Sequence, residues 1–159
     1  MKKICLFLFT SLFVCNFLTA QTTAMDFTMT DCNGQMHNLY SELDPGNVII
    51  MEFFHTCPSC VAAVNDIKPM YQKLVAKYGN KVRFYQIGFN NTYTCATGMN
   101  WVTSNGFSSV PFDSGAVQVA YYGGMGMPTV AVVAGSTHDV LFSTVGFSTS
   151  DTTTIGSAV

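Results

Sequence analysis

Two cysteines separated by two residues, Cys57-Pro58-Ser59-Cys60, are the residues of this chain best suited to chemistry. They follow an apolar run, Val48 to Phe54, and Pro58 opens a stretch with helical signals. Proline is tolerated in the first turn of a helix, where its missing N–H costs nothing. A cysteine at such a start faces unpaired backbone N–H groups and a partial positive charge, and both favour thiolate over thiol. The thiolate is the species that attacks a disulfide. Cys60 follows one helical turn later, so its sulfur reaches that of Cys57 and can resolve a mixed disulfide. The spacing therefore predicts a redox dithiol with Cys57 as nucleophile and Cys60 as resolving thiol. A static disulfide is a poor use of two cysteines one turn apart.

Four more residues could support that chemistry, each with a plainer reading beside it. A carboxylate at Glu52, buried beneath the dithiol, would have a raised pKa and take the proton of Cys60. Otherwise it points to a polar cavity or to solvent beyond a strand end. His55, as an imidazolium, would stabilise the thiolate. Otherwise it is a loop histidine. Met127-Pro128-Thr129 follows the glycine-rich stretch Gly123-Gly124-Met125-Gly126 and precedes a strand. A cis bond at Pro128 would set the Met127 main chain against the sulfurs, as an edge for a substrate peptide. Otherwise Pro128 is an ordinary trans turn proline.

The elements that must hold these residues alternate between strand and helix. Asp26 to Thr30 alternates polar and apolar, Asn33-Gly34 is a hairpin turn, and Gln35 to Tyr40 is the returning strand. Asp44 to Asn47 is a turn, and Val48 to Phe54 a strand covered on both faces. The helix from Pro58 runs to about Tyr78 with Pro69 inside it as a kink. Val82 to Phe89 is a second buried strand. Asn90 to Thr92 caps a helix to about Ser104, and Gly106 to Pro111 is a connector. Ser114 caps a short helix ending near Tyr122. Thr129 to Ala134 and Val140 to Val145 are strands joined by a turn, and Ser150-Asp151 starts a last helix. This pattern predicts an α/β sandwich around a central mixed sheet.

The first residues read as an export leader. Met1-Lys2-Lys3 is positive, Ile4 to Phe17 is apolar, and Leu18-Thr19-Ala20 offers a small residue before Gln21. A signal peptide over 1–20, cut after Ala20, leaves one domain over 21–159 in a periplasmic or extracellular space. A membrane anchor or a lipoprotein cysteine at Cys15 fits less well, because the apolar stretch is short and no small residue precedes Cys15. No later apolar run approaches the roughly 20 residues of a bilayer span. Four cysteines remain after cleavage, too few for a disulfide-built scaffold. Charged residues are 10% of the chain and apolar ones 48%, which argues against disorder. Without Lys2 and Lys3, five basic residues stand against nine acidic ones, an unfavourable balance for nucleic acid. The bases Lys68, Lys73, Lys77, Lys81 and Arg83 read as a solvated outer face.

The chain resembles the thioredoxin-like superfamily, and most closely its exported thiol–disulfide oxidoreductases of the TlpA/ResA type. The resemblance rests on the opening hairpin Asp26 to Gly34, on Val48 to Phe54 leading into Cys57-Pro58-Ser59-Cys60, on Met127-Pro128-Thr129, and on a closing hairpin ending in Val145-Gly146. It implies a thioredoxin-like sandwich with an N-terminal β-hairpin extension. It also implies a nucleophile at Cys57, a resolving thiol at Cys60 and a substrate-docking cis-proline at Pro128. It needs no cofactor and no metal, and its partners are protein thiols and disulfides with a redox recycling partner, handled by a monomer. The sequence departs from the family in three places. Thr56 stands where an aromatic residue often precedes the first cysteine, Glu52 lies one residue closer to Cys57 than the family's buried acid, and Pro69 comes late in its helix. In the thioredoxin-like arrangement Cys32 and Cys95 approach one sheet edge. A structural Cys32–Cys95 disulfide, a third redox thiol at Cys95 near Cys57, and two unpaired cysteines all remain open.

Three rivals use the same motif or fold. A soft-metal (copper) carrier would bind through the two CxxC thiolates. It leaves Met127-Pro128 and the last hairpin without a role, and its usual methionine is replaced by His55. A peroxiredoxin would need a threonine where Phe54 stands. A thioredoxin-like binding or adhesion module without turnover has no need of both cysteines.

Overall fold

The computed structural model describes residues 22–124 and 126–159. The expected leader, 1–20, and Met125 lie outside the described residues.

The chain opens in a short antiparallel hairpin, β1 (Thr28–Thr30) and β2 (Met36–Asn38), with Thr28 opposite Asn38. The Asp31 carboxylate accepts the N–H groups of Asn33 and Gln35, which closes the turn. Gly34 sits at φ 87°, a region glycine enters without steric cost. The returning strand is shorter than the sequence predicts. Asn38 accepts the Ser41 N–H with its side chain and starts helix α1 (Leu39–Leu43). That cap outweighs the period-two pattern, and Leu39 and Leu43 are both fully buried as a result.

Among the described residues the main sheet has five strands: β3 (Val48–Phe54), β4 (Val82–Gly88), β5 (Val110–Phe112), β6 (Thr129–Ala134) and β7 (Asp139–Val145). Their order is β5-β4-β3-β6-β7. β3 runs parallel to β4 and antiparallel to β6; β5 is parallel to β4, and β7 antiparallel to β6. The expected connector over 106–111 gives way at Val110 to β5. Pro111 is accommodated there because β5 is an edge strand, where one missing donor disturbs no interior ladder.

Four further α-helices among the described residues cover the sheet: α2 (Pro58–Tyr78), α3 (Cys95–Asn105), α4 (Ala116–Tyr121) and α5 (Thr149–Ala158). Three start at other residues than the sequence predicts. Asn90 caps no helix; its side chain accepts from Thr92, while Thr94 accepts the Thr97 N–H and caps α3. Ser114 turns to Asp113, and Gly115 precedes α4. Ser148 and Asp151 form a reciprocal capping box for α5.

β3 is covered on both faces, which explains its unbroken apolar run. Ile49, Met51 and Phe53 join Leu39, Leu43, Tyr85 and Phe112 on one face. Ile50 and Phe54 join Val64, Ile67, Trp101 and Ile155 on the other. Along α2 the buried residues are Cys60, Ala63, Val64, Ile67, Met70 and Leu74, a helical stripe that lies on that second face. Each large aliphatic so buried contributes roughly 1.5–3 kcal/mol. Alternation puts Glu52 on the same face as Ile50 and Phe54, the face α2 covers. The outer basic residues are not all free: Arg83 pairs with Glu42 at 2.8 Å, and Lys68 donates to the Gly106 carbonyl.

Candidate active site

β3 ends at Phe54 and α2 begins at Pro58, so three residues separate a central strand from a helix. Cys57 is the N-cap of α2, and its carbonyl accepts the N–H groups of Cys60 and Val61. This placement leaves Cys57 half-buried at the helix start. Cys60, the first residue of the buried stripe, has no exposed surface. The two sulfurs are 3.4 Å apart and unbonded.

The surroundings push the two thiols apart. Partial burial raises the Cys57 thiol, but hydrogen bonds from Ser59, from the Cys60 N–H and thiol, and from His55 outweigh it and bring it down to about 7. The Ser59 hydroxyl lies 3.1 Å from the Cys57 sulfur. Burial drives the Cys60 thiol far up, and its bond to Cys57 and the nearby Glu52 carboxylate add to that. The His55 N–H donates to the Cys60 sulfur at 3.3 Å and opposes the rise.

Glu52 is completely buried and does not reach a strand end. Burial pushes its carboxyl up to about 8, against the Gln86 amide that donates to it, with the Cys57 charge adding a smaller rise. Gln86 stands directly beside Glu52 on β4 and donates to Oε2 at 2.6 Å. The Ser109 hydroxyl donates to the amide oxygen of Gln86, and the other Glu52 oxygen has no hydrogen-bond partner among the described residues. Gln86 and Ser109 are absent from the sequence reading. A single amide in the apolar run Val82 to Phe89 was the available signal for Gln86; Ser109 had none.

The Met127–Pro128 bond is cis, and the Met127 carbonyl accepts the Ser59 hydroxyl at 3.3 Å. The segment before β6 therefore lies against the first turn of α2. His55 is exposed, its ring 5.2 Å from that of Phe89. Cys32 and Cys95 do not join this group. They are bonded to each other, with Cα atoms 5.1 Å apart, and tie the hairpin to the start of α3. Among the described residues no helix is long and apolar enough to cross a membrane.

No protein-family model and no curated protein matches the sequence. Solved structures do match. A candidate thiol:disulfide interchange protein DsbE from Chlorobium tepidum is 22% identical, with a TM-score of 0.69 over 86% of this chain and 95% of that one. A candidate protein disulfide isomerase from Bacteroides thetaiotaomicron is 18% identical, with a TM-score of 0.70 over 86% and 84%. A thioredoxin family thiol:disulfide interchange protein from Chlorobium tepidum is 22% identical, with a TM-score of 0.63 over 87% and 97%.

Proposed function

We propose, from a thioredoxin-like fold that carries a close and unequal dithiol, that this protein is an exported thiol–disulfide oxidoreductase. The observation that carries the reading is the pair itself: sulfurs 3.4 Å apart, one accessible and held down to about 7, the other buried and raised.

In the reducing direction the Cys57 thiolate attacks one sulfur of a substrate disulfide. The substrate S–S bond breaks, a Cys57–substrate disulfide forms, and the departing thiolate takes up a proton. Cys60 then gives its proton to Glu52, in the fraction of molecules that a carboxyl near 8 leaves ionised at neutral pH, and attacks the Cys57 sulfur. The Cys57–Cys60 disulfide forms as the Cys57–substrate bond breaks, the second departing thiolate takes up the proton left on Glu52, and the substrate has gained two electrons and two protons. The same steps run backwards oxidise a dithiol. A carboxyl poised near 8 suits this task, since it holds or accepts a proton close to neutral pH. His55 supports the thiolate, and the Met127 main chain before Pro128 receives the substrate strand. Neither metal nor organic cofactor enters any step.

The substrates on this reading are protein thiols and disulfides, met by a monomer over 21–159 in a periplasmic or extracellular space. The leader pattern supports export. So does the Cys32–Cys95 bridge, because such bonds persist in oxidising compartments. The deciding experiment is the equilibrium of the Cys57/Cys60 pair against glutathione. A potential near or below about −250 mV marks a reductase, and one above about −150 mV an oxidase. Failure of the pair to exchange with glutathione at all overturns the reading. Sequencing the N-terminus of the exported protein tests cleavage before Gln21.

A further inference from the structure

The loop that carries Cys57 is held by three backbone N–H groups in succession. His55 donates to the Cys60 sulfur, Cys57 donates to the His55 carbonyl, and Thr56 donates to the hydroxyl oxygen of Tyr93 at 3.2 Å. The first two bonds stay within the loop and the start of α2. The third reaches 37 residues along the chain, to the segment before α3. Tyr93 is thus an external brace for the residue that precedes the accessible cysteine.

The brace is itself held on several sides. Its ring packs edge-on against Phe54 and Phe89, with centroids 5.5 and 5.4 Å away, and lies 6.2 Å from the His55 ring. Gly88 leaves room for it: a Cβ at 88 would stand 2.6 Å from that of Tyr93. The Tyr93 N–H donates to the Asn90 carbonyl. Two residues on, Cys95 opens α3 and is bonded to Cys32, whose N–H donates to the Pro111 carbonyl on β5. The bridge therefore pins the start of α3 to the hairpin and the sheet edge, immediately beside Tyr93.

We propose that Tyr93 is a positioning residue for the dithiol, and that the Cys32–Cys95 bridge is the anchor that keeps it in place. The inference rests on the redox reading above. The hydrogen bonds that favour the Cys57 thiolate come from His55, Ser59 and Cys60, and each depends on the loop's shape. The titratable groups around Cys57 are His55 on the same loop, Cys60 on α2, Glu52 on β3 and Tyr93 itself. Losing the Thr56 bond loosens the loop and weakens the donors together. Losing the bridge does the same through Tyr93. The bridge undergoes no turnover in this scheme.

The test uses the full chain with the CxxC pair reduced by one equivalent of dithiol, and with the Cys32–Cys95 bond verified by mass. The readout is the rate of iodoacetamide alkylation at Cys57 against pH. Tyr93→Phe keeps the ring and removes the acceptor. It should move the midpoint upward and slow alkylation at pH 7 by about two- to fivefold, the loss of thiolate for a rise of half to one pH unit. The Cys32→Ala/Cys95→Ala protein should shift in the same direction. Adding Tyr93→Phe to it should shift the midpoint no further than Tyr93→Phe does alone, as two changes acting through one contact do. An unmoved or lowered midpoint in Tyr93→Phe overturns the proposal, and so do fully additive shifts. Tyr93→Phe decides the matter even if the bridge variant does not fold. A parent protein with no midpoint below pH 8 overturns the redox reading as well, whereas a depressed parent midpoint with unmoved variants overturns this inference alone.

Discussion

The sulfurs of Cys57 and Cys60 stand 3.4 Å apart, yet one thiol is pushed down and the other up. One turn of α2 carries the second cysteine from the rim of the sheet into its core. At pH 7 about half of the Cys57 groups are thiolate, each beside a Cys60 that keeps its proton.

Alkylation of the reduced protein should accordingly modify Cys57 with a midpoint near pH 7, and leave Cys60 unmodified to above pH 9. Peptide mapping of the labelled protein separates the two sites. Equal labelling of both, with a shared midpoint near 8.5, would contradict the asymmetry.

Cys57→Ala should abolish exchange with a protein disulfide. Cys60→Ala should keep the first step and accumulate a mixed disulfide with substrate, visible as an adduct in non-reducing mass analysis. Normal turnover by Cys60→Ala would remove Cys60 from the resolving role.

Glu52→Gln should trade activity for stability, and the trade should depend on pH. The folded carboxyl titrates near 8 against 4.5 for the ordinary group, so the folded state holds its proton through a range where the unfolded state has lost it. This group's contribution to stability is fully present below 4.5 and is lost as pH rises through 8, by on the order of 3–5 kcal/mol. Glutamine cannot ionise, so the variant should lose that slope and melt higher than the parent at pH 8, with a smaller gap at pH 5. Resolution of mixed disulfides should slow. Parallel melting curves for the two proteins from pH 5 to 8 would sink the assignment.

Removing the second bridge should cost stability by a separate route. Cys32 and Cys95 are 63 residues apart, and closing a loop of that length restricts the unfolded chain by about 4 kcal/mol in the chain-entropy model. Denaturant titration of Cys32→Ala/Cys95→Ala should show a loss of this order. A loss below about 1 kcal/mol would mean the unfolded chain gains little freedom.

Much of the frame was legible because its signals are local. Val48–Phe54 and Thr129–Ala134 match their predicted bounds, since a continuous apolar run between turns leaves few other readings. The long helix from Pro58 to Tyr78 announced itself through its first-turn proline and closing glycine. The elements that were missed depend on partners distant in sequence or on a cap. α1 exists because Asn38 turns its side chain back on Ser41, and β5 because β4 offers an edge. The site divides in the same way. Cys57 and Cys60 declare themselves by spacing. Gln86, Ser109 and Tyr93 reach the site across the sheet or from a loop, and no window around any of them carries the contact.

The Ser59 hydroxyl touches both the Cys57 sulfur, at 3.1 Å, and the Met127 carbonyl, at 3.3 Å. A hydroxyl has one hydrogen to give, so it serves one of these acceptors at a time. A peptide strand that lays its own N–H on the Met127 carbonyl shares that oxygen with the hydroxyl and weakens its pull on the hydrogen. On the redox reading proposed above, that change of balance favours the sulfur, so a substrate strand seated there adds to the support of the Cys57 thiolate before any bond is exchanged. Ser59 is in that sense a two-position latch whose setting is read off by whatever occupies the neighbouring strand edge.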